Sequence, residues 1–268
     1  MAVAAQPEES LQSVKWLLEA TWSGRGRQWQ SKPYYPIFCD LVGRRCLVVG
    51  AGKIGEGKVR GLLDAGAAVH VVSLTASDTV RKWADEVRIE LSLRAYETSD
   101  LDGCFLAIAA TESNGTNIGV FNDAEARGML CNVVDVTPLC NFILPSIHRE
   151  GDLVVAISTA GASPALARRI RLEIAERYGE EFGVALELLG SLRTELKRRY
   201  PNPDDRKIIF ERMVYSNLIE SIRACETDKI EAWIDRCANE GPNYATAEEH
   251  QAALKRWLAS AVERERGQ

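Results

Sequence analysis

The chain has 268 residues, of which 46% are hydrophobic, and it carries a formal net charge of −5 at pH 7. This length and apolar content suit one large domain with appendages, or two domains. The negative charge argues against a general nucleic-acid-binding protein. No apolar stretch is long enough to span a bilayer, and the N-terminus does not have the pattern of a secretory signal. We therefore expect a cytoplasmic protein with no nucleic-acid or membrane partner.

Residues 1–33 contain Trp16, Trp22 and Trp29, and we interpret them as an N-terminal extension without chemistry. Along residues 34–148, apolar runs alternate with helix-like stretches. Strands are predicted at residues 46–49, 67–72, 104–109 and 129–134. Such alternation is typical of a parallel sheet covered on both faces. We predict an α/β fold with a Rossmann-like, doubly wound parallel sheet.

The second half of the chain changes character. Residues 153–158 predict one more strand, and Ser163-Pro164 predicts a helix start, because a hydroxyl at the N-cap and a proline at the first position are preferred there. Helices are predicted over residues 182–200 and 205–224, and an amphipathic segment begins at Thr246. We expect a short segment at residues 149–178, followed by a helical domain at residues 179–268.

The sequence GAGKIG at residues 50–55 directly follows the first predicted strand and precedes a helix. Gly50 permits a sharp turn, Gly52 lets the backbone approach a pyrophosphate, and Gly55 lets the helix pack closely on the strand. The N–H groups at the start of the helix then face the phosphates. This context predicts a dinucleotide site that also includes Lys53 and Ile54.

Ligands of an open parallel sheet bind beyond the carboxyl ends of its strands. Leu74 and Thr75 are expected after the strand at residues 67–72, Thr111 after that at 104–109 and Asp135 after that at 129–134, so we place them in one crevice with the glycine loop. Leu74 and Thr75 occupy the position at which an acidic residue usually binds the ribose, which leaves the choice between NAD and NADP open. Lys53 either adds charge near the phosphates or is a solvated helix residue. Asp135 either performs chemistry or only accepts hydrogen bonds from its own turn.

Three motifs begin at the end of the strand predicted at residues 129–134: NVVD at residues 132–135, F-x-x-P-S at 142–146, and S-T-x-G-x-S-P-x-L-A-R at 158–168. In these motifs the chain closely resembles the precorrin-2 dehydrogenase family, which includes the N-terminal module of sirohaem synthase. The resemblance covers residues 34–178 and extends more loosely into the helical part. Ala160 departs from it, because a glycine is common at that position.

The resemblance implies NAD-dependent oxidation of precorrin-2 to sirohydrochlorin, with insertion of ferrous iron as a second activity in some members. It implies that Asp135 is the general base, which takes a proton from the tetrapyrrole as the cofactor takes a hydride. For the polycarboxylate substrate it points to Ser158, Thr159 and Arg168 as binding residues. It also implies a homodimer, formed through residues 149–178.

Two other functions fit parts of the sequence. A regulatory module would bind NAD and transmit a conformational change, and it needs no carboxylate positioned for proton removal. An interaction protein would use the helical tail and the N-terminus, but the intact GAGKIG loop argues against it. Seven scattered cysteines and three distant histidines predict reduced thiols and no metal centre.

Overall fold

The computed structural model describes residues 34–239. The predicted N-terminal extension and the amphipathic segment predicted from Thr246 lie outside this range. Within it, the chain forms a five-stranded sheet, a separate two-stranded sheet and a helical region. The predicted fold class is therefore confirmed.

The five strands of the first sheet are all parallel. They are β1 (Arg45–Ala51), β2 (Ala68–Ala76), β3 (Glu90–Ser92), β4 (Leu106–Ala109) and β5 (Leu130–Val133). Three helices cross between them: α1 (Lys53–Asp64), α2 (Asp78–Asp85) and α3 (Asn114–Glu125). Short 3₁₀ turns lie at Thr98–Leu101 and Thr137–Leu139.

The apolar run of β1 is explained by burial on both faces of the sheet. Cys46 and Val48 pack into the core on the side of α1 and α2, whereas Leu47 and Val49 pack into the core on the side of α3. Successive side chains of a strand point to opposite faces, so a central parallel strand must be apolar at every position.

The spatial order of the strands is β3-β2-β1-β4-β5, so the chain reverses direction across the sheet between β1 and β4. At this point Val49, Ala109 and Val133 are in register on three neighbouring strands. The residues that follow them, at the ends of β1, β4 and β5, therefore lie at the same level. Neighbouring strands are separated by about 4.8 Å, which places the ends of β1 and β5 roughly 10 Å apart.

The second sheet is an antiparallel hairpin of β6 (Ser146–Glu150) and β7 (Leu153–Ile157). The remaining helices are α4 (Pro164–Arg177), α5 (Glu180–Arg199), α6 (Pro203–Val214), α7 (Leu218–Arg223) and α8 (Thr227–Asn239). Leu196, Ile209 and Met213 form a small core between α5 and α6. Helix α4 begins at Pro164 with the Ser163 hydroxyl as its N-cap, as the sequence predicts.

Strand β2 was predicted too short, and Leu74 and Thr75 lie inside it rather than after it. The strand continues because Ala51 pairs with Ala76 beyond an irregularity in β1, and because the Ala51 N–H donates to the Ser73 hydroxyl at 3.2 Å. These contacts form only when the glycine loop has folded, so the pattern of apolar residues in β2 does not predict them.

Two further differences have local causes. The helix predicted over residues 205–224 is broken between α6 and α7, where the Ser216 hydroxyl donates to the Met213 carbonyl and accepts from the Leu218 N–H. Such side-chain bonds compete with the helical ones. Strand β6 was not predicted, and the predicted boundary between residues 148 and 149 falls inside it. The division of the chain into domains stays a prediction.

Candidate active site

The glycine loop connects the end of β1 to α1, and each of its three glycines has a distinct environment. Gly50 adopts a φ of +104°, and a Cβ at this position would lie 2.4 Å from the Ala110 carbonyl oxygen. A Cβ on Gly55 would lie 2.0 Å from the Gly50 oxygen, so the helix packs directly on the turn. A Cβ on Gly52 would have no atom within 4 Å, so this backbone faces open space. A pyrophosphate approaching the loop would meet bare backbone at Gly52.

Helix α1 begins directly after Gly52, and no side chain caps its N-terminus. The first N–H groups of such a helix favour an anion. Two hydrogen bonds from β2 and the residue after it support the loop, because Ala51 donates to Ser73 and accepts from the Ser77 N–H at 3.0 Å. The loop is thus rigid and open, as a dinucleotide requires.

Four other residues of the predicted cofactor site lie around this loop. Lys53 and Ile54 are exposed on the first turn of α1, and within residues 34–239 no carboxylate pairs with Lys53. Leu74 and Thr75 are exposed at the end of β2. Their contact with the cofactor stays a prediction.

Thr111 lies one residue beyond Ala110, beside the glycine loop. Its hydroxyl contacts Asn117 Oδ1 at 2.7 Å and the Ser113 backbone, so its hydrogen-bonding capacity is largely used within the turn. Asn117 is buried in the first turns of α3 and bonds to both the N–H and the carbonyl of Thr111. Asn117 was not predicted from the sequence, although an asparagine six residues after a threonine at the end of a strand is a usable signal.

Asp135 lies two residues beyond β5, at the same edge of the sheet as the glycine loop. Its φ is +60°, a left-handed conformation that aspartate and asparagine tolerate better than most residues. The side chain is exposed, and within the described range no hydrogen bond or ion pair engages its carboxylate. If Asp135 served only to stabilise its turn, its carboxylate would accept hydrogen bonds from that turn.

The loop that carries Asp135 folds back on β5 and is tied down by the buried Asn132 and the exposed Asn141. Asn132 Nδ2 donates to the Phe142 carbonyl at 3.0 Å, and Asn141 Oδ1 accepts from the Cys131 N–H at 2.7 Å. The Cys140 thiol lies against the Val133 and Val136 carbonyls. These supports were also missed, because the bonds join residues four to ten positions apart on a loop that the motif alone does not fold.

A second turn, between β7 and α4, comes close to the Asp135 loop. A Cβ on Gly161 would lie 3.8 Å from Thr137 Oγ1, two residues beyond Asp135. Within the turn, Ser158 Oγ accepts from the Ala160 N–H at 3.0 Å, and Thr159 Oγ1 bonds to both the N–H and the carbonyl of Ser163. The hydroxyls of this turn therefore hold its own backbone.

Three arginines of α4 differ in their pairing. Arg169 bonds to Glu173 at 2.7 Å on the exposed surface. Arg168 and Arg171 have no carboxylate partner within residues 34–239, and Arg168 is exposed. The structure therefore brings the Ser158–Thr159 turn close to the Asp135 loop, while Arg168 follows on the first turns of α4. Substrate contact by these residues stays a prediction.

Ala160 has a left-handed backbone conformation, with a φ of +50°. Alanine is strained there because its Cβ approaches the following carbonyl, and glycine is not. We expect Ala160→Gly to raise the free energy of unfolding by about 0.5 to 1 kcal/mol. The matched control is Ala162→Gly, which is exposed in the same turn without a positive φ and should lose stability. Urea unfolding of both variants checks this, and equal losses would contradict it.

Cys131 is a buried thiol on β5, the strand that leads to Asp135. Burial raises the pKa of the Cys131 thiol to about 12, so this group near the crevice stays neutral. Among residues 34–239 no cluster of histidine, cysteine and acidic side chains could hold a metal ion. No helix in that range is long and apolar enough to cross a membrane.

Three family models match consecutive parts of the chain. A model for NAD(P)-binding proteins matches residues 37–146, one for the central part of sirohaem biosynthesis proteins matches residues 150–177, and one for the sirohaem synthase dimerisation region matches residues 182–237. The first covers the sheet and the glycine loop, and the second covers β7 and α4.

Curated relatives and a solved structure agree with these models. Siroheme synthase from Citrobacter koseri is 39% identical over 180 residues, which are 67% of this chain and 39% of that protein. Siroheme synthase from Salmonella typhimurium is 36% identical over 208 residues, which are 77% of this chain and 46% of that protein. The chain thus spans less than half the length of these relatives.

The structure of SirC, a precorrin-2 dehydrogenase, superposes with a TM-score of 0.65 at 25% sequence identity. It covers 76% of this chain and the whole of that one. Sequence motifs, family models and fold therefore agree on one relationship. The chain belongs to the family of sirohaem synthase and precorrin-2 dehydrogenase.

Proposed function

We propose that this chain oxidises precorrin-2 to sirohydrochlorin, with NAD as the hydride acceptor. One observation carries the proposal: the Asp135 carboxylate is exposed and unbonded within the described range, at the same sheet edge as the open glycine loop. The names of the relatives support the choice of substrate. NADP is the alternative acceptor, because neither an acidic residue nor an arginine stands at Leu74 or Thr75 to discriminate between the two cofactors.

The loop at Gly50–Gly55 would hold the pyrophosphate through backbone N–H groups and the N-terminus of α1. When bound, the nicotinamide ring accepts the hydride that the macrocycle loses. Because the ends of β1, β4 and β5 are level, the nicotinamide half would extend past Thr111 towards Asp135. Asp135 would take the proton that leaves the macrocycle, directly or through one water.

The substrate is a polycarboxylate, so the proposal needs cationic and N–H groups near Asp135. Arg168 fits this role, because no carboxylate within residues 34–239 competes for its guanidinium. Ser158 and Thr159 would act mainly by shaping the turn, since their hydroxyls bond to its backbone. We propose contact between this turn and the side chains of the tetrapyrrole.

Three further parts of the proposal rest on the family relationship. Ferrous iron would be inserted into the product as a second activity of the same crevice. The chain would form a homodimer through residues 149–178 and the helices that follow, in keeping with the dimerisation model that matches residues 182–237. The protein would work in the cytoplasm.

The decisive experiment is anaerobic incubation of the protein with precorrin-2 and NAD, followed by absorbance spectroscopy. We expect sirohydrochlorin and NADH to form in equal amounts, and the addition of ferrous iron then separates chelation from oxidation. If NAD binds and no pigment forms, the chain is a regulatory NAD-binding module instead. If oxidation proceeds and sirohaem does not form, the chain is a dehydrogenase alone.

A further inference from the structure

We propose that Asn117 is a positioning residue for NAD: it fixes the β4–α3 turn, which forms the wall of the crevice beside the glycine loop. This inference rests on the proposed function only for the identity of the cofactor. Between β1 and β4 the order in which the chain adds strands to the sheet reverses, and some backbone groups at this point have no strand partner.

Beyond Ala110 the strand β4 loses its neighbours. The Ala110 N–H still donates to the Val49 carbonyl at 2.7 Å, but β1 then turns away at Gly50. On the other side, the Val134 N–H donates to the Ala109 carbonyl, and β5 ends. The backbone groups of Thr111 are thus left without strand partners at the wall of the crevice, and unpaired backbone groups are costly.

The Asn117 side chain provides the hydrogen-bond partners that Thr111 does not find on a neighbouring strand. Its Nδ2 donates to the Thr111 carbonyl at 2.9 Å, and its Oδ1 accepts from the Thr111 N–H at 3.3 Å and from the Thr111 hydroxyl at 2.7 Å. One buried amide therefore satisfies three groups of a single residue. Because Asn117 is only 5% exposed, packing against the sheet fixes this side chain in turn.

The β4–α3 turn, which the Asn117 side chain holds, lies directly against the glycine loop. The Ala110 carbonyl lies so close to Gly50 that only a glycine fits there, so the β4–α3 turn and the glycine loop are in direct contact. A displacement of Thr111 would push into the space through which NAD passes from the pyrophosphate to Asp135. The bonds from Asn117 therefore keep that passage open and of constant shape. This lowers the conformational entropy that is lost when NAD binds.

The test compares Asn117→Ala with Ser113→Ala by direct titration of NAD and by thermal unfolding. Ser113 caps the same helix, with its hydroxyl accepting from the Thr116 N–H, and its side chain does not bond to Thr111. We expect both variants to lose stability, while only Asn117→Ala weakens NAD binding, by about 10- to 100-fold. The KM for NAD should rise by the same factor, with little change in the KM for precorrin-2.

Should Asn117→Ala fail to fold, Asn117→Asp tests the proposal instead. Aspartate keeps the shape of the side chain and its Oδ1, but it has an oxygen where Nδ2 donates to the Thr111 carbonyl. It should weaken NAD binding in the same direction. The proposal is overturned if either folded Asn117 variant binds NAD within twofold of the wild type, or if Ser113→Ala weakens binding equally. Wild-type protein that binds NAD without oxidising precorrin-2 would count against the proposed function and leave this inference intact.

Discussion

Replacing Asp135 by asparagine is expected to lower kcat for precorrin-2 oxidation by about 10²- to 10⁴-fold, the usual contribution of a general base. The amide has the shape of the carboxylate but cannot take the proton. NAD affinity should stay within twofold of the wild type, since the glycine loop is untouched. Single-turnover formation of NADH under anaerobic conditions, together with NAD titration, measures both quantities.

Asparagine is also the substitution that disturbs the fold least. Asp135 adopts a φ of +60°, and asparagine tolerates this left-handed conformation as well as aspartate does. The matched control is Asp85→Asn, an exposed carboxylate at the end of α2, which should keep full activity. Wild-type kcat in the Asp135→Asn variant would show that another group takes the proton, and the proposed mechanism would then be wrong.

The sequence predicted the parts of this protein that depend on local chemistry. The apolar run that became β1 must be buried on both faces, and the glycines at 50, 52 and 55 are needed at a strand-to-helix turn whatever surrounds it. The helix start at Ser163-Pro164 likewise depends only on neighbouring residues. Fold class and family were therefore predictable from patterns and motifs.

The missed features depend on residues that meet only after folding. Asn117 was not identified because the groups that it satisfies are left unpaired by the geometry of the sheet, which no local pattern encodes. The extra length of β2 depends on the Ser73 hydroxyl meeting the glycine loop. The break after Val214 depends on the competition of a single serine with the helix. Where a bond joins distant segments, only the structure identifies the residue.

Adding one methyl group at Gly52 is expected to weaken NAD binding by about 10- to 100-fold without loss of stability. The residue has a φ of −76°, which any amino acid adopts, and a Cβ there would meet no protein atom within 4 Å. The fold therefore has no need of glycine at this position. The added Cβ is expected to weaken NAD binding instead, because it would stand between the backbone and the pyrophosphate.

Two other glycines make this prediction sharp. Gly57→Ala adds the same methyl group on the same helix, again with no atom within 4 Å, and should bind NAD normally while gaining about 0.5 to 1 kcal/mol of stability. Gly55→Ala would place its Cβ 2.0 Å from the Gly50 oxygen and should destabilise the whole sheet. Thermal unfolding and NAD titration of the three variants separate a role in the fold from a role in binding. If Gly52→Ala binds NAD as the wild type does, the cofactor is not held on this loop.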